Sequence, residues 1–215
     1  MNRLYVQYGA GNEAVKGWIS FDSSPTLLIQ KTPVLGRILR SLLNCRFDDE
    51  IRYGNIVKGL PVRPLSAEGV FCSHVLEHLP LEDFHKALDN TYRILRPGGI
   101  FRCIVPDLEL YIRKYIEAVS FNTKDADTAA IEFCRTTELG IQKRRKGFVG
   151  KLTEMFGSRH FWMWDRYSLS KSLLEHGFDK IHTFTKSNCD DPMFLLPERD
   201  HQFVRGVGIE CRKPY

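Results

Sequence analysis

A chain of 215 residues is long enough for one α/β domain with a real core and too short for two comfortable ones, so a single domain over 1–215 is expected. Apolar residues at 43% and charged residues at 27% exclude a disordered or fibrous chain, and no apolar run reaches the ~18 residues of a membrane-spanning helix. A formal net charge of +5 would help attract an anionic substrate but does not by itself argue for nucleic acid. Six scattered cysteines, with no C-x-x-C pair and no His at zinc spacing, read as free thiols. The first residues run straight into a strand pattern with no room for a signal peptide, so a cytoplasmic location is expected.

In chain order, Arg3 to Tyr8 is a β-rich run stopped by Gly9-Ala10-Gly11, a turn that lets backbone N–H groups approach a ligand closely. Trp18 to Asp22 reads as a second strand, and the link from Gly9 to Gly17 is too short for a full helix, giving an abbreviated first crossover. Alone, Gly-x-Gly is an ordinary tight turn. Followed by a strand ending on Asp22, it gains a carboxylate able to accept both ribose hydroxyls of a nucleoside. Ser24-Pro25 opens an amphipathic helix with Leu27, Leu28, Leu35, Ile38, Leu39, Leu42 and Leu43 at apolar positions, interrupted near Pro33 and Gly36. Glu50 to Asn55 reads as a third strand whose end, Asn55-Ile56, is placed for an adenine edge. Leu60 to Leu65 crosses over as a loop because it carries two prolines.

Gly69 to Asp107 forms a strand, helix, strand unit. It contains Val70-Phe71-Cys72, the segment Ser73-His74-Val75-Leu76-Glu77-His78-Leu79, a helix over Leu81 to Leu95 stopped by Pro97-Gly98-Gly99, and a buried strand from Ile100 to Val105. Its polar side chains gather where the first strand ends, the place where open α/β sheets bind ligands. Helices over Leu108 to Val119 and Asp125 to Leu139 belong to an insertion, 108–165, expected to cover the substrate site. Its basic loop, Lys143 to Gly147, reads as solvated. The aromatic run Phe161 to Trp164 reads first as core packing and second as a wall for a sugar. After a helix from Tyr167 to Glu175, the strand patterns Lys180 to Lys186 and Phe203 to Cys211 suggest an antiparallel hairpin at the sheet edge.

Together, Gly9-Ala10-Gly11 with Gly17 to Asp22, Ser73 to Leu79, Arg93 to Gly99, Val105 to Leu108 and the tail Glu210 to Pro214 resemble a class I S-adenosylmethionine-dependent methyltransferase. The short bacterial form called methyltransferase type 11 is the nearest look-alike, over Leu4 to Pro214. The resemblance implies a Rossmann-like α/β fold, a mostly parallel seven-stranded sheet with an antiparallel last strand. It also implies S-adenosylmethionine as cofactor and S-adenosylhomocysteine as product. Gly9 and Gly11, with Tyr8 and Ala10, would lie under the methionine part and Asp22 would hold the ribose with Ser23 beside it. Asn55 and Ile56 would contact the adenine, while Ser73 and His74 would close the methionine side. The chain departs from the pattern at Gln7, where many relatives are acidic, and at Asn55, where Asp is frequent. The implied acceptor is a small molecule or a carbohydrate-linked group, for instance a sugar hydroxyl in cell-surface polysaccharide assembly, rather than nucleic acid. The alternative is a binding or scaffold protein of the same fold that has lost turnover. A nicotinamide-dependent Rossmann enzyme is disfavoured, because the loop lacks Gly-x-Gly-x-x-Gly, with Ala14 at its last position, and no helix follows.

Methyl transfer from a sulfonium mainly needs nucleophile, carbon and sulfur held in line, a proximity effect of ~7–11 kcal/mol. A base is needed only where the nucleophile must lose a proton. If Leu76 to Leu79 opens the helix, His74 and His78 share a face at i, i+4, and either is the candidate base. Two other readings stay open. Some relatives carry Glu-x-x-Glu-His here and bind a divalent metal, in which case His74 replaces the first Glu and His160 is a distant ligand. In the third, Glu77 accepts loop N–H groups and His78 buttresses the turn. No metal ligand is assigned. The catalytic expectation is His74, His78 and Asp107, with Asp107 and Tyr111 facing the same cleft to orient the acceptor, or with Asp107 capping the next helix.

Overall fold

Apolar runs shielded on both faces need a sheet with cover on both sides. The protein was analysed as a computed structural model, which describes residues 3–32, 46–121, 124–140 and 159–215. Seven strands, β1 (Leu4–Tyr8), β2 (Trp18–Asp22), β3 (Arg52–Tyr53), β4 (Ala67–Ser73), β5 (Leu95–Pro106), β6 (Asp179–Phe184) and β7 (Gly206–Arg212), form one sheet in the order β3-β2-β1-β4-β5-β7-β6. β1 to β5 pair in parallel, and β7 lies antiparallel between β5 and β6. Only β7 is therefore reversed, as the resemblance implies. Residues 9–17 hold turns and no helix, so the first crossover is abbreviated.

The helices among the described residues are α1 (Pro25–Lys31), α2 (Leu81–Ile94), α3 (Leu108–Ser120), α4 (Ala129–Thr136) and α5 (Arg166–Glu175). Strand alternation sends Val6, Val70, Phe101 and Cys103 to one face, where they pack with Phe84 and Leu88 of α2 and Leu169 and Leu173 of α5. Tyr5, Phe71 and Ile104 point to the other face and meet Trp18 and Phe194. Each such apolar side chain contributes ~1.5–3 kcal/mol on burial. Among the described residues no helix is long and apolar enough to cross a membrane.

Several boundaries differ from the sequence expectation. α2 ends at Ile94, and Pro97-Gly98-Gly99 lies inside β5 rather than stopping the helix. This stretch pairs with the C-terminal tail, Gly98 N donating to Lys213 O and Lys213 N to Gly99 O at 2.8 and 2.9 Å. The third strand shrinks to two residues because Asn55 caps a short turn at Ile56–Lys58. The helix expected over Asp125 to Leu139 narrows to Ala129–Thr136. β7 starts only at Gly206, since Asp200–Phe203 is a 3-10 turn and Arg205 adopts φ 60°. The apolar positions Leu35 to Leu43, Cys45 and the basic loop Lys143 to Gly147 lie outside the described residues.

Two features position the site. The chain leaves the sheet after Asp107 and returns at Trp164, where the two residues form a parallel bridge and Leu108 N donates to Trp164 O at 2.8 Å. Arg102 is a charged residue buried in the middle of β5. Its Nη1 lies 2.5 Å from Glu198 Oε1, its Nε 2.9 Å from Glu210 Oε2, and its guanidinium 3.6 Å from the Phe184 ring centroid. Through Glu198 and a bond to Asn188 O, Arg102 anchors the connector between β6 and β7.

Candidate active site

At the end of β1 the chain turns through Gly9, at φ 68°. A Cβ there would sit 2.1 Å from Val75 Cγ2, so both backbone conformation and space demand glycine. Gly11, at φ 63°, has nothing within 4 Å of the corresponding position and borders open space. The loop is tied to β2 by Ala10 N donating to Phe21 O and by Gly11 N donating to Asp22 Oδ2, each at 3.0 Å. Ser24 N donates to Asp22 Oδ1 at 2.7 Å. Each Asp22 oxygen thus holds one backbone donor and keeps lone pairs for a ligand. Burial pushes the Asp22 carboxyl above the usual range, against the pull of these two N–H groups.

Beside this loop, a cleft of about 670 Å³ opens at the carboxyl ends of β1 and β4, where the strand order reverses direction. Gly9, Ala10, Gly11, Ser73 and His74 line it. Ser73 Oγ is buried with no hydrogen-bond partner among the described residues, a donor and acceptor left for whatever fills the cleft. The opposite wall, Arg199, His201 and Gln202 of the β6–β7 connector, was not anticipated from the sequence. The available signal was Arg102, a lone cation in an apolar strand that must find distant acids, here Glu198 and Glu210.

Tyr8 reaches the cleft through its backbone, because its ring packs in the core with Oη 3.2 Å from Thr91 Oγ1. Asp22, Ser23, Asn55 and Ile56 lie outside the lining of this cleft, Asp22 being linked to it through Gly11. Asn55 Oδ1 accepts from Val57 N and Lys58 N, and the Ile56 side chain is buried. Gln7 Nε2 donates to Ser20 Oγ at 2.8 Å, a neutral pairing in a buried place.

Leu76–His78 forms a separate 3-10 turn and does not open the following helix, because Pro80 holds Leu79 extended and α2 starts at Leu81. The expected shared helical face of His74 and His78 is therefore absent. His74 sits just past β4 at φ 53°. Its Nδ1 lies 3.2 Å from Glu77 Oε1 and its Nε2 2.9 Å from Gln202 O. Carboxylate and carbonyl only accept, so a ring making both contacts carries both protons. Burial pushes the His74 pKa down, but Glu77 and the Gln202 carbonyl outweigh it and the net direction is up. While both bonds hold, His74 has no lone pair to act as a base.

His78 Nδ1 is 3.0 Å from Arg159 O, which places a proton there, and its Nε2 lies 3.9 Å from Glu77 Oε1. Glu77 is fully buried. Its backbone O accepts from Phe161 N and Trp162 N at 2.8 and 3.1 Å, and its Oε2 has no partner among the described residues. His160 is buried with its ring centroid 4.9 Å from that of His78, and burial pushes its pKa down. Asp107 caps α3, its Oδ1 accepting from Glu109 N at 3.1 Å. Neither Asp107 nor Tyr111 lines the cleft, contrary to the expectation that both would face it. Tyr111 lines a second pocket of about 370 Å³ between α3 and α4, with Lys114 and Arg205. The aromatic run divides. Trp164 is core and stacks on Phe84 at 4.1 Å, whereas Phe161 and Trp162 are 44% and 42% exposed.

The sequence matches the model of a methyltransferase domain family, type 11, over residues 37–103, a span that includes Ser73 to His78 and Arg93 to Gly99. The match covers 67 of the 215 residues and supports a class I S-adenosylmethionine-dependent methyltransferase. No curated protein matches the sequence. The fold of this chain is similar to a chain in the complex of the Haloferax volcanii Trm112 methyltransferase activator with a methyltransferase, at 15% identity and a TM-score of 0.51, covering 100% of this chain and 84% of that one. It is also similar to Haemonchus contortus phosphoethanolamine N-methyltransferase 2 in complex with phosphomonomethylethanolamine and S-adenosylhomocysteine (13% identity, TM-score 0.50) and to the CurJ carbon methyltransferase (12%, 0.50). This chain is covered in full in both cases, but spans only 49% and 50% of those longer proteins. At such identities the likeness is one of fold. The open space at Gly11 and the unpartnered Ser73 Oγ suit the methyltransferase's cofactor, S-adenosylmethionine.

Proposed function

We propose that this methyltransferase acts in the cytosol on a hydroxyl of a small-molecule or carbohydrate-linked acceptor, a sugar of cell-surface polysaccharide assembly being the first class to test. The observation that carries the acceptor reading is the pair Phe161 and Trp162. Both are exposed, and their N–H groups bind the carbonyl of Glu77, whose side chain contacts the cleft residue His74. Exposed aromatic rings offer flat apolar surface for the C–H face of a sugar.

In this reading the backbone of Tyr8 to Gly11, with Ser73 and His74, holds the methionine part. Asp22 and Ser23 hold the ribose, and Asn55 and Ile56 border the adenine. When bound, the cofactor supplies a methyl group on an already activated sulfur. The chain's task is alignment and removal of the acceptor proton. Because His74 has both nitrogens engaged, that second task falls to His78, whose Nε2 is the ring nitrogen not held by a backbone carbonyl. Asp107, at the mouth of β5, orients the acceptor while capping α3. Residues 108–165 act as an insertion covering the acceptor side of one domain over 1–215, a reading supported by the bridge that brings its ends together. The unpaired described cysteines agree with a reducing compartment.

The test is calorimetric titration with S-adenosylhomocysteine followed by label transfer from S-adenosylmethionine to a panel of sugars and other hydroxyl compounds. Absence of S-adenosylhomocysteine binding would sink the cofactor placement. Transfer confined to amine or carbon acceptors would sink the hydroxyl reading. A second reading, a binding or scaffold protein of this fold, draws on the engaged ring of His74 and would be favoured by cofactor binding without transfer to any acceptor.

A further inference from the structure

We propose that the pocket of about 370 Å³ between α3 and α4 is an acceptor subsite that binds a phosphate group carried on a sugar. The proposal deepens the hydroxyl-transfer reading, on which the sugar's role as acceptor rests, whereas capture of the anion does not depend on it. Two cations line the pocket, Lys114 on α3 and Arg205 just before β7. Neither makes an ion pair or a side-chain hydrogen bond among the described residues, although neighbouring cations do, Arg113 and Arg166 with Glu109 and Arg135 with Glu132. Two acids share the wall. Glu132 accepts from Arg135 on both oxygens, at 2.7 and 2.9 Å, so its charge is already answered. Asp125 lies in the turn leading into α4, where its carbonyl accepts from Thr128 N at 3.2 Å. Two cations thus face one acid, and the pocket carries a net positive charge.

Arg205 is held in place by the fold. Its backbone adopts the left-handed region at φ 60°, rare for a residue with a side chain, and such outliers cluster at binding sites. Its carbonyl accepts from Asp107 N at 2.9 Å, and its guanidinium carbon lies 5.9 Å from the Tyr111 ring centroid. Tyr111 is buried in the first turn of α3, and Lys114 follows three residues later on the same side of the helix. Tyr115 and Phe133 supply apolar wall, edge to face at 6.1 Å. Cations beside aromatic walls suit an anion attached to a group with an apolar face, which a sugar phosphate is. A phosphate, with about two negative charges, matches two cations better than a carboxylate does, and the arginine fork can hold two of its oxygens. The pocket is also within reach of the reaction. Gln202 lines the cofactor cleft and Arg205 the pocket, and three residues of chain span at most ~11 Å. A phosphate seated on Lys114 and Arg205 therefore belongs to the same small molecule as the hydroxyl that meets the cofactor.

The test titrates the full chain by calorimetry, with and without S-adenosylhomocysteine, using glucose 1-phosphate, glucose 6-phosphate, inorganic phosphate and unphosphorylated glucose. The expected result is one phosphate-bearing ligand per chain, bound at least about tenfold more tightly than glucose. Lys114→Gln and Arg205→Gln should each weaken it about tenfold or more, the range of a lost hydrogen bond to a charged group. Arg113→Gln removes a cation one residue away that does not line the pocket, and should leave binding within about twofold. S-adenosylhomocysteine affinity should stay within about twofold in Lys114→Gln, showing an intact fold. No binding of any phosphate compound by the parent chain, undiminished binding in both pocket variants, or an equal loss in Arg113→Gln overturns the site. Methyl transfer to neutral sugars that Lys114→Gln leaves unchanged also overturns it, while the hydroxyl reading stands. Phosphate capture that depends on Lys114 and Arg205, with transfer confined to amine or carbon acceptors, supports the site and overturns the hydroxyl reading, so the two failures are separable.

Discussion

The amide of Gly11 donates to Asp22 Oδ2 at 3.0 Å, joining the loop after β1 to the carboxylate at the end of β2. Loop and carboxylate are therefore one unit. Asp22→Asn retains the shape but replaces an ionic acceptor with a neutral one. The expected outcome is a Kd for S-adenosylhomocysteine raised about ten- to a hundredfold by calorimetry, the range of a lost hydrogen bond to a charged group. An unchanged Kd would remove Asp22 from the ribose.

The same carboxyl sets a pH dependence. Burial raises its pKa above the ordinary range, and in the proposed placement ribose hydroxyls would donate to the charged form. Affinity should be full above the raised pKa and fall as pH drops through it, beginning at a higher pH than for an ordinary aspartate. Asp22→Asn should flatten this limb. A parent profile that stays level down to the ordinary carboxyl range contradicts the assignment.

Gly9 and Gly11 share a left-handed backbone but differ in surroundings, so their alanine variants should separate. Gly9→Ala drives a methyl group into Val75 and is expected to cost ~2–4 kcal/mol in denaturant unfolding, partly recovered by adding Val75→Ala. Gly11→Ala carries only backbone strain, about 1 kcal/mol, yet projects into the open space and should weaken S-adenosylhomocysteine binding more than it lowers stability. Equal effects of both changes on stability would contradict the geometry.

Arg102→Met strands Glu198 and Glu210 without their cation and should destabilise the protein by ~3–5 kcal/mol. Arg102→Lys is expected to recover only part of this, because an ammonium cannot span both acids and the Asn188 carbonyl as the guanidinium does. Proteolysis of the Met variant should begin within residues 185–205.

The fold was largely legible because strand alternation at Leu4 to Tyr8 and Trp18 to Asp22, and the apolar run after Pro97-Gly98-Gly99, depend on local pattern. The Gly9 to Gly11 loop was legible for the same reason. What escaped were effects of distant partners. Leu76 to His78 has helical composition, yet Pro80 separates it from α2. Pro97-Gly98-Gly99 looks like a helix stop, yet the tail at Lys213 draws it into β5. The connector carrying Arg199, His201 and Gln202 could not be placed at the cleft without knowing that Glu198 closes on Arg102, a pair 96 positions apart. Phe161 to Trp164 reads as one apolar run, although only Trp164 enters the core.

The meeting of Asp107 and Trp164 brings the two ends of the intervening segment together at the sheet. Closing a longer or shorter loop on fixed ends changes its entropy only slowly with length. On the proposed reading, a graft between these anchors that keeps Arg159 to Trp162, the residues bonded to the Glu77–His78 turn, should alter the choice of acceptor while S-adenosylhomocysteine binding, assigned to the Gly9 to Asp22 side, carries over.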